Sequence, residues 1–326
     1  MSARRAFLPI LIACNMGLAM IPVAASAGAL NSAWLPPPGE HYSEFRGSHL
    51  AADAYFNLEG KKTKLGGELE GREASSLNVI GWKNWASLVI GIPARSVSLR
   101  YDVPPLTLTS TGLADALFGL RFKVLDGATA LAVETDWRPP LGYEHDRVEF
   151  VPRRTPNVGV DTLAYPGVGD GRQRLDARLL FGSQVTPLNG FTQLSLGYTM
   201  SYERLLGTGH APPPGHKYPR PYSFRKGAIA GSAELGIWAG PSWLIVGNYA
   251  YGHSVAADTT TDEFSFHRAG PEFLYRVDDS MDVFAGSSFT LSGKNVRREN
   301  EYYVGLAVKK THFSRLQGFL GGSRRP

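Results

Sequence analysis

The stretch Leu175–Glu203, LDARLLFGSQVTPLNGFTQLSLGYTMSYE, decides the fold. After Asn189-Gly190, the apolar residues Leu194, Leu196, Tyr198, Met200 and Tyr202 alternate with Gln193, Ser195, Gly197, Thr199 and Ser201. Before it, Leu175, Ala177, Leu179 and Phe181 alternate with Asp176, Arg178, Leu180 and Gly182. A period of two over runs this long means two strands, each with one apolar and one polar face, and Asn-Gly between them signals a hairpin. The apolar face must meet either a second sheet, as in a soluble sandwich, or lipid, as in a transmembrane barrel whose other face lines a lumen.

Residues 1–27 read as a leader that stands outside the fold. Arg4 and Arg5 are its positive end, Ala6–Ala19 its apolar centre, and Ala25-Ser26-Ala27 its small-residue cleavage site. The one cysteine, Cys14, falls inside it, so the mature chain is expected to lack disulfides and thiolate sites. Leu11-Ile12-Ala13-Cys14 also fits the pattern at which lipoproteins are acylated. The apolar run continues past it to Met20 and Val23, which favours an ordinary cleaved leader. Beyond residue 27 no run of about 18 apolar residues occurs, so no transmembrane helix is expected. A barrel stays open to the chain, because alternating strands average to neutral hydropathy. The 34 basic and 29 acidic residues are spread along the sequence, with no basic stripe for a nucleic acid.

The same alternation recurs along the chain. A proline-bearing lead-in, Gly28–Gly39, precedes strands expected at Glu40–Phe56, Leu65–Ile80 and Trp85–Ala94. Arg95–Gly112, with Pro104 and Pro105, reads as a connection. Leu113–Leu125 and Ala128–Trp137 follow, joined by Asp126-Gly127, a second two-residue hairpin signal. Arg138–Asp170, rich in proline, reads as a long unpatterned loop, and so does Leu205–Arg225. The remaining strands are expected at Lys226–Trp238, Trp243–Ser254, Asp262–Val277, Met281–Ser292 and Glu299–Lys310. With the opening hairpin this makes about twelve strands over residues 28–310, followed by an extension, Thr311–Pro326.

Two features favour the barrel over the sandwich. Connections on one side of the strands are short, while those on the other are mostly longer, as in barrels with short periplasmic turns and long outer loops. Trp82 and Trp85 flank one short turn and Trp238 and Trp243 another, while Trp137 and Tyr202 fall at the opposite strand ends. Such aromatic girdles suit the two membrane interfaces. The reading is an all-β fold, a single up-and-down antiparallel transmembrane β-barrel, surrounded by outer-membrane lipid and inserted by the barrel-assembly machinery.

Four strings carry a resemblance: Ala33-Trp34-Leu35-Pro36 through Gly39; Tyr55-Phe56 with Gly60-Lys61; GWKNWASLVIGIP at Gly81–Pro93; and TGLADALFGLRFKV at Thr111–Val124. In these the chain resembles the family of outer-membrane proteins named for the meta-pathway of phenol degradation. The resemblance implies a β-barrel acting as a channel or transporter for small solutes, aromatic or hydrophobic ones among them, and it supplies no catalytic residue. The extension after Val304–Val308 departs from barrels that end on a terminal aromatic.

Face assignment by apolarity places ionisable residues inside: Arg121 and Lys123, Glu134 and Asp136, Asp176 and Arg178, then Glu234, Glu272, Arg276 and Asp282. On the lipid face each would cost up to about 2–4 kcal/mol at the midplane. These candidates either bias the selectivity of a polar pathway or fill a closed, structural barrel with ion pairs. A lipid-hydrolysing barrel is the third class. Ser265 and His267 share a face near Glu263 and Glu272, but the order is Ser-x-His and no oxyanion donor is identifiable. His210 and His216 lack a third ligand for a metal, and GVGDG at Gly167–Gly171 opens a strand, so it is no phosphate loop. No cofactor is expected.

Overall fold

The computed structural model describes residues 32–102, 105–141, 148–152, 160–164, 168–169, 173–202, 224–255 and 263–310. Twelve antiparallel staves close into a barrel. They are β1 (His41–Phe56), β2 (Lys62–Lys83), β3 (Ala86–Tyr101), β4 (Leu106–Leu113) with β5 (Leu117–Leu125), β6 (Thr129–Arg138), β9 (Gln173–Val185), β10 (Gly190–Tyr202), β11 (Phe224–Trp238), β12 (Trp243–Ser254), β13 (Ser265–Asp278), β14 (Met281–Lys294) and β15 (Val296–Lys310). The first stave pairs with the last over fifteen residue pairs, from His41–Lys310 to Phe56–Val296. β4 and β5 form one stave broken at Ala114–Ala116: the outer half of β3 pairs with β4 and its inner half with β5. A small hairpin, β7 (Val148–Pro152) and β8 (Val160–Ala164), pairs only with itself.

The two faces are sorted inside out. Leu194, Leu196 and Tyr198 on β10, Ile245 and Tyr249 on β12, and Tyr302, Val304 and Leu306 on β15 are all exposed. The buried residues on the same strands include the polar Gln193, Thr199, Asn248 and Glu299 with Tyr303, beside smaller apolar ones such as Val246 and Ala250. Exposed aliphatic side chains around a whole closed sheet, with charged ones within it, are the pattern of a wall between lipid and a lumen, not of a protein core. Leu196, 60% exposed at the middle of β10, tests this directly. Leu196→Arg is expected to cost about 2–4 kcal/mol for folding into phospholipid vesicles, whereas the same change at Ser195, on the inward face, costs less. Folded fractions read from the heat-dependent gel shift provide the measurement.

Aromatic pairs mark both edges of this belt. Trp85 stacks on Phe122 at 6.0 Å and Trp243 meets Tyr275 at 4.9 Å on the short-turn side. Phe118 and Trp137 lie 6.0 Å apart at the other edge. The side chain of Tyr202 lies outside the described part. Asn189 adopts the left-handed conformation, φ 45° and ψ 55°, after a 3-10 turn at Thr186–Leu188, and Gly190 then starts β10. The Asn-Gly hairpin is thus a four-residue turn with Asn189 at its bend.

Three segments differ from the sequence expectation. Arg95–Gly112 is mostly strand: β3 runs on to Tyr101 and β4 returns from Leu106. There the pattern inverts, with Val97, Leu99 and Leu108 buried and Arg100, Thr107, Thr109 and Thr111 exposed or half-exposed outside. Hydroxyl pairs Ser96–Thr111 and Ser98–Thr109, both at 2.9 Å, line that outer surface. Arg138–Asp170 contains the β7–β8 hairpin. Gly293–Arg298 is almost all strand, since β14 turns into β15 on Asn295 alone, at φ 50°. The loop alternation is therefore weaker than expected. Among the outer connections, the long ones are those after β6, β10 and β12. Leu205–Arg225, with His210 and His216, and residues 311–326 lie largely or wholly outside the described residues.

Candidate functional site

Register builds the first wall of the lumen. On three neighbouring strands Arg121, Glu134 and Arg178 stand directly opposite one another. One rung outward, Asp136 faces Asp176 and Asp176 faces Thr199; the next pairs Arg138 with Arg174. Like charges opposite each other are unfavourable, and the diagonals offset this. Arg121 donates from Nε to Glu134 Oε2 at 2.5 Å. Arg178 reaches both Glu134 and Asp136. Arg138 Nε lies 2.8 Å from Asp176 Oδ2, and the Thr199 hydroxyl donates to Asp176 Oδ1 at 2.6 Å. Arg174 lies 3.8 Å from Asp115, in the break between β4 and β5. Four arginines and four carboxylates thus balance in one ladder, and Arg121 and Glu134 are fully buried.

The second wall, from β11 round to β1, is more acidic. Tyr303 donates its hydroxyl to Glu272 Oε2 at 2.9 Å across Gly286, and the guanidinium of Arg46 lies 3.8 Å from the centre of the Tyr303 ring. Arg46 pairs with Glu301 at 2.6 Å, and Arg268 with Glu299. Asp282 takes Lys309 at 2.9 Å and Arg276 at 3.4 Å, and Arg276 in turn covers Trp238 at 4.3 Å.

All ten sequence candidates face inward. Arg121, Glu134, Asp136, Asp176 and Arg178 share the ladder, and Glu234, Glu272, Arg276 and Asp282 belong to the second wall. Lys123 sits at the inner rim, 2.6 Å from Asp126 in the adjoining turn. The sequence reading missed Glu44, Arg46, Asp115, Arg138, Arg174, Arg268, Glu299 and Glu301, as well as the Arg95–Glu73 pair. Glu44 and Arg46 carried a usable signal, because they share parity with buried Ala52 and Ala54 on β1. Asp115 and Arg138 had none, since each lies at a break or end of a strand.

A third component was read as a lead-in outside the sheet. Ser32–Gly39 runs inside the barrel, where Ala33 is buried against Ala130, Ala132 and Leu180. Trp34 donates its indole N–H to Gly127 O at 3.0 Å, and Arg121 donates to Ser32 O at 2.7 Å. Two glycines make room for it. A Cβ on Gly182 would lie 2.6 Å from the Trp34 ring, and one on Gly81 would lie 2.0 Å from Pro37 O. Between this segment and the second wall is a cavity of about 720 Å³. Its lining mixes Trp34, Tyr42, Phe191 and Trp238 with Gln193, Arg276 and Asp282. At the outer end Val168 is buried, and its carbonyl accepts from Arg95 at 3.3 Å. Val168 thus lies against the inward-facing Arg95.

Ser265 and His267 lie on the outer face, where His267 Nδ1 is 2.6 Å from the hydroxyl of exposed Tyr249. Glu272 lies on the opposite face, bonded to Tyr303, so it does not orient that imidazole. Among the described residues no group of three or more His, Cys, Asp or Glu is placed to hold a metal.

Fold and lumen together define a transmembrane β-barrel of the outer-membrane type. The chain is similar in structure to an outer-membrane channel from Pseudomonas putida F1, with TM-score 0.63 and 12% identity over 87% of this chain and 99% of that one. It also resembles the β domain of a Bordetella autotransporter, with TM-score 0.50 and 12% identity over 84% of this chain and all of that one. At this identity the likeness is one of fold. No family model and no curated protein matches the sequence.

Proposed function

We propose that this protein is an outer-membrane channel for small solutes with apolar or aromatic bodies. The observation that carries the reading is the cavity beside Ser32–Gly39, where the rings of Trp34, Tyr42, Phe191 and Trp238 stand among charged groups of both signs, Arg121, Arg276, Lys309, Glu40 and Asp282. Concave, mainly apolar sites with a few fixed polar groups are the usual form of small-molecule sites. A lumen lined by ion pairs and entered by the chain's own segment favours selective passage over general diffusion. The apolar belt would be covered by outer-membrane lipid, and the assembly machinery would insert the barrel there. The resemblance to the phenol-degradation family agrees with this solute class.

The test is transport. Purified protein in liposomes is expected to admit a small neutral aromatic such as phenol faster than protein-free liposomes, and to give discrete conductance steps in planar bilayers. If neither occurs, even after Trp34→Ala loosens the inner segment, the barrel is a closed structural one. The ion-paired ladder is the observation that favours this second reading.

A further inference from the structure

On the outer surface of β1 to β4 the apolar belt ends at one row of residues. Gly47, Ala74, Ala94 and Leu113 stand directly opposite one another across the four strands, and exposed Phe45 and Ile92 lie on the side of the short turns. The next outward-facing row is polar: His49 opposes Arg72, Arg72 opposes Ser96, and Ser96 opposes Thr111. Tyr302 on β15 opposes His49, and its ring meets Phe289 at 5.8 Å. Aromatic rings at the edge of an apolar belt mark the level of the lipid headgroups, so this polar row stands where acyl chains give way to headgroups.

The row is built of donors. His49 and Arg72 are exposed, and neither makes a hydrogen bond or ion pair with the described residues. Ser96 and Thr111 share one bond of 2.9 Å, which uses one hydroxyl hydrogen and leaves the other to donate. Opposed side chains on neighbouring strands have Cβ atoms about 4.5–5.5 Å apart, so these donors stand side by side around the fixed charge of Arg72. The carboxylates come further from the belt: Glu70 in the next row, opposite Ser98, then Glu68, which lies 3.7 Å from Arg100. Gly47, Ala74 and Ala94 have little or no side chain, which leaves a shallow trough in the belt directly beside Arg72.

A cation would meet Arg72, and a hydrocarbon would leave the donors bare. An anion satisfies them, and a guanidinium is well matched to phosphate oxygens. At the edge of the acyl chains the available anion is the phosphate of a lipid. We propose that His49, Arg72 and the Ser96–Thr111 hydroxyl pair bind the phosphate of an outer-leaflet lipid, with an acyl chain lying in the trough over Ala74 and Ala94. The proposal rests on the reading that lipid covers the belt, and it is independent of what the lumen carries.

The test titrates the protein, folded in detergent, with dioleoyl phosphatidic acid and separately with dioleoylglycerol, which has the same chains and no phosphate. Native mass spectrometry reads the bound lipid. Phosphatidic acid is expected to bind at least tenfold more tightly than dioleoylglycerol. Arg72→Ala should weaken phosphatidic acid at least fivefold and leave dioleoylglycerol unchanged, and His49→Ala should weaken it about twofold. Arg100→Ala, two rows further out, should leave both lipids unchanged. Arg72→Gln, which keeps much of the stem, replaces the alanine variant if that variant loses the heat-dependent gel shift. Equal losses in the Arg72 and Arg100 variants would reduce the effect to general surface charge and overturn the site. Equal affinity for the two lipids in the wild type overturns the site and leaves the lipid-covered belt standing, whereas binding of neither overturns both.

Discussion

Replacing Glu134 by alanine is expected to lower the stability of the barrel by about 3–5 kcal/mol, because it leaves buried cations without their counter-charge. Glu134 is fully buried and holds both Arg121 and Arg178, from the strands on either side of it. Without it, Arg178 keeps Asp136, and Arg121 keeps the Ser32 carbonyl but loses the carboxylate paired with its guanidinium. The double variant Arg121→Ala/Glu134→Ala removes one charge of each sign and should lose less than the two single losses combined. Urea titration of the vesicle-inserted protein, followed by tryptophan fluorescence, gives both quantities. Additive losses would show that the ladder is not coupled.

A side chain at Gly182 is expected to open the inner end of the lumen. The Trp34 ring lies where a Cβ would stand, 2.6 Å away, and close packing leaves no slack for the overlap. The backbone of β9 is held on both sides by paired strands. Ser32–Gly39 is tied at its far end by the Gly39 N–H to Gly81 O bond of 2.9 Å, and its near end is held by Trp34, Ala33 and the Arg121 bond, so the Trp34 end is the part that moves. Gly182→Leu should raise single-channel conductance several-fold with the barrel still folded. It should also shift tryptophan emission to longer wavelength as Trp34 meets water. Unchanged conductance would mean that the segment does not obstruct passage.

What could be read from the residues depends on where lipid lies. Between the two aromatic girdles the outer face must be apolar, so alternation is strong and strands such as β10, β12 and β14 were legible almost to the residue. Above the belt the outer face meets water. Val97, Leu99 and Leu108 turn inward there against polar Arg100, Thr107 and Thr109, and Pro104-Pro105 suggests a loop. That inversion hid the outer half of β3 and all of β4. The candidate residues were found by parity within strands. Their pairing was not legible, since opposing Arg121 to Glu134 and Asp136 to Asp176 needs the register. The inner segment was illegible for a different reason: Trp34 among prolines has no periodicity, and its seat depends on Gly182, far away in sequence.

The join between β1 and β15 bears on how the chain assembles. Arg46 and Glu301, 255 residues apart, meet across it as an ion pair at 2.6 Å. Bringing such distant ends together costs only about 0.6 kcal/mol more for each doubling of the intervening length. The fifteen paired residues of this join equal the fifteen between β1 and β2. Ring closure is thus a late step, since every other strand must already stand in order, yet it is strongly favoured once reached. The last join to form is then among the longest in the finished wall.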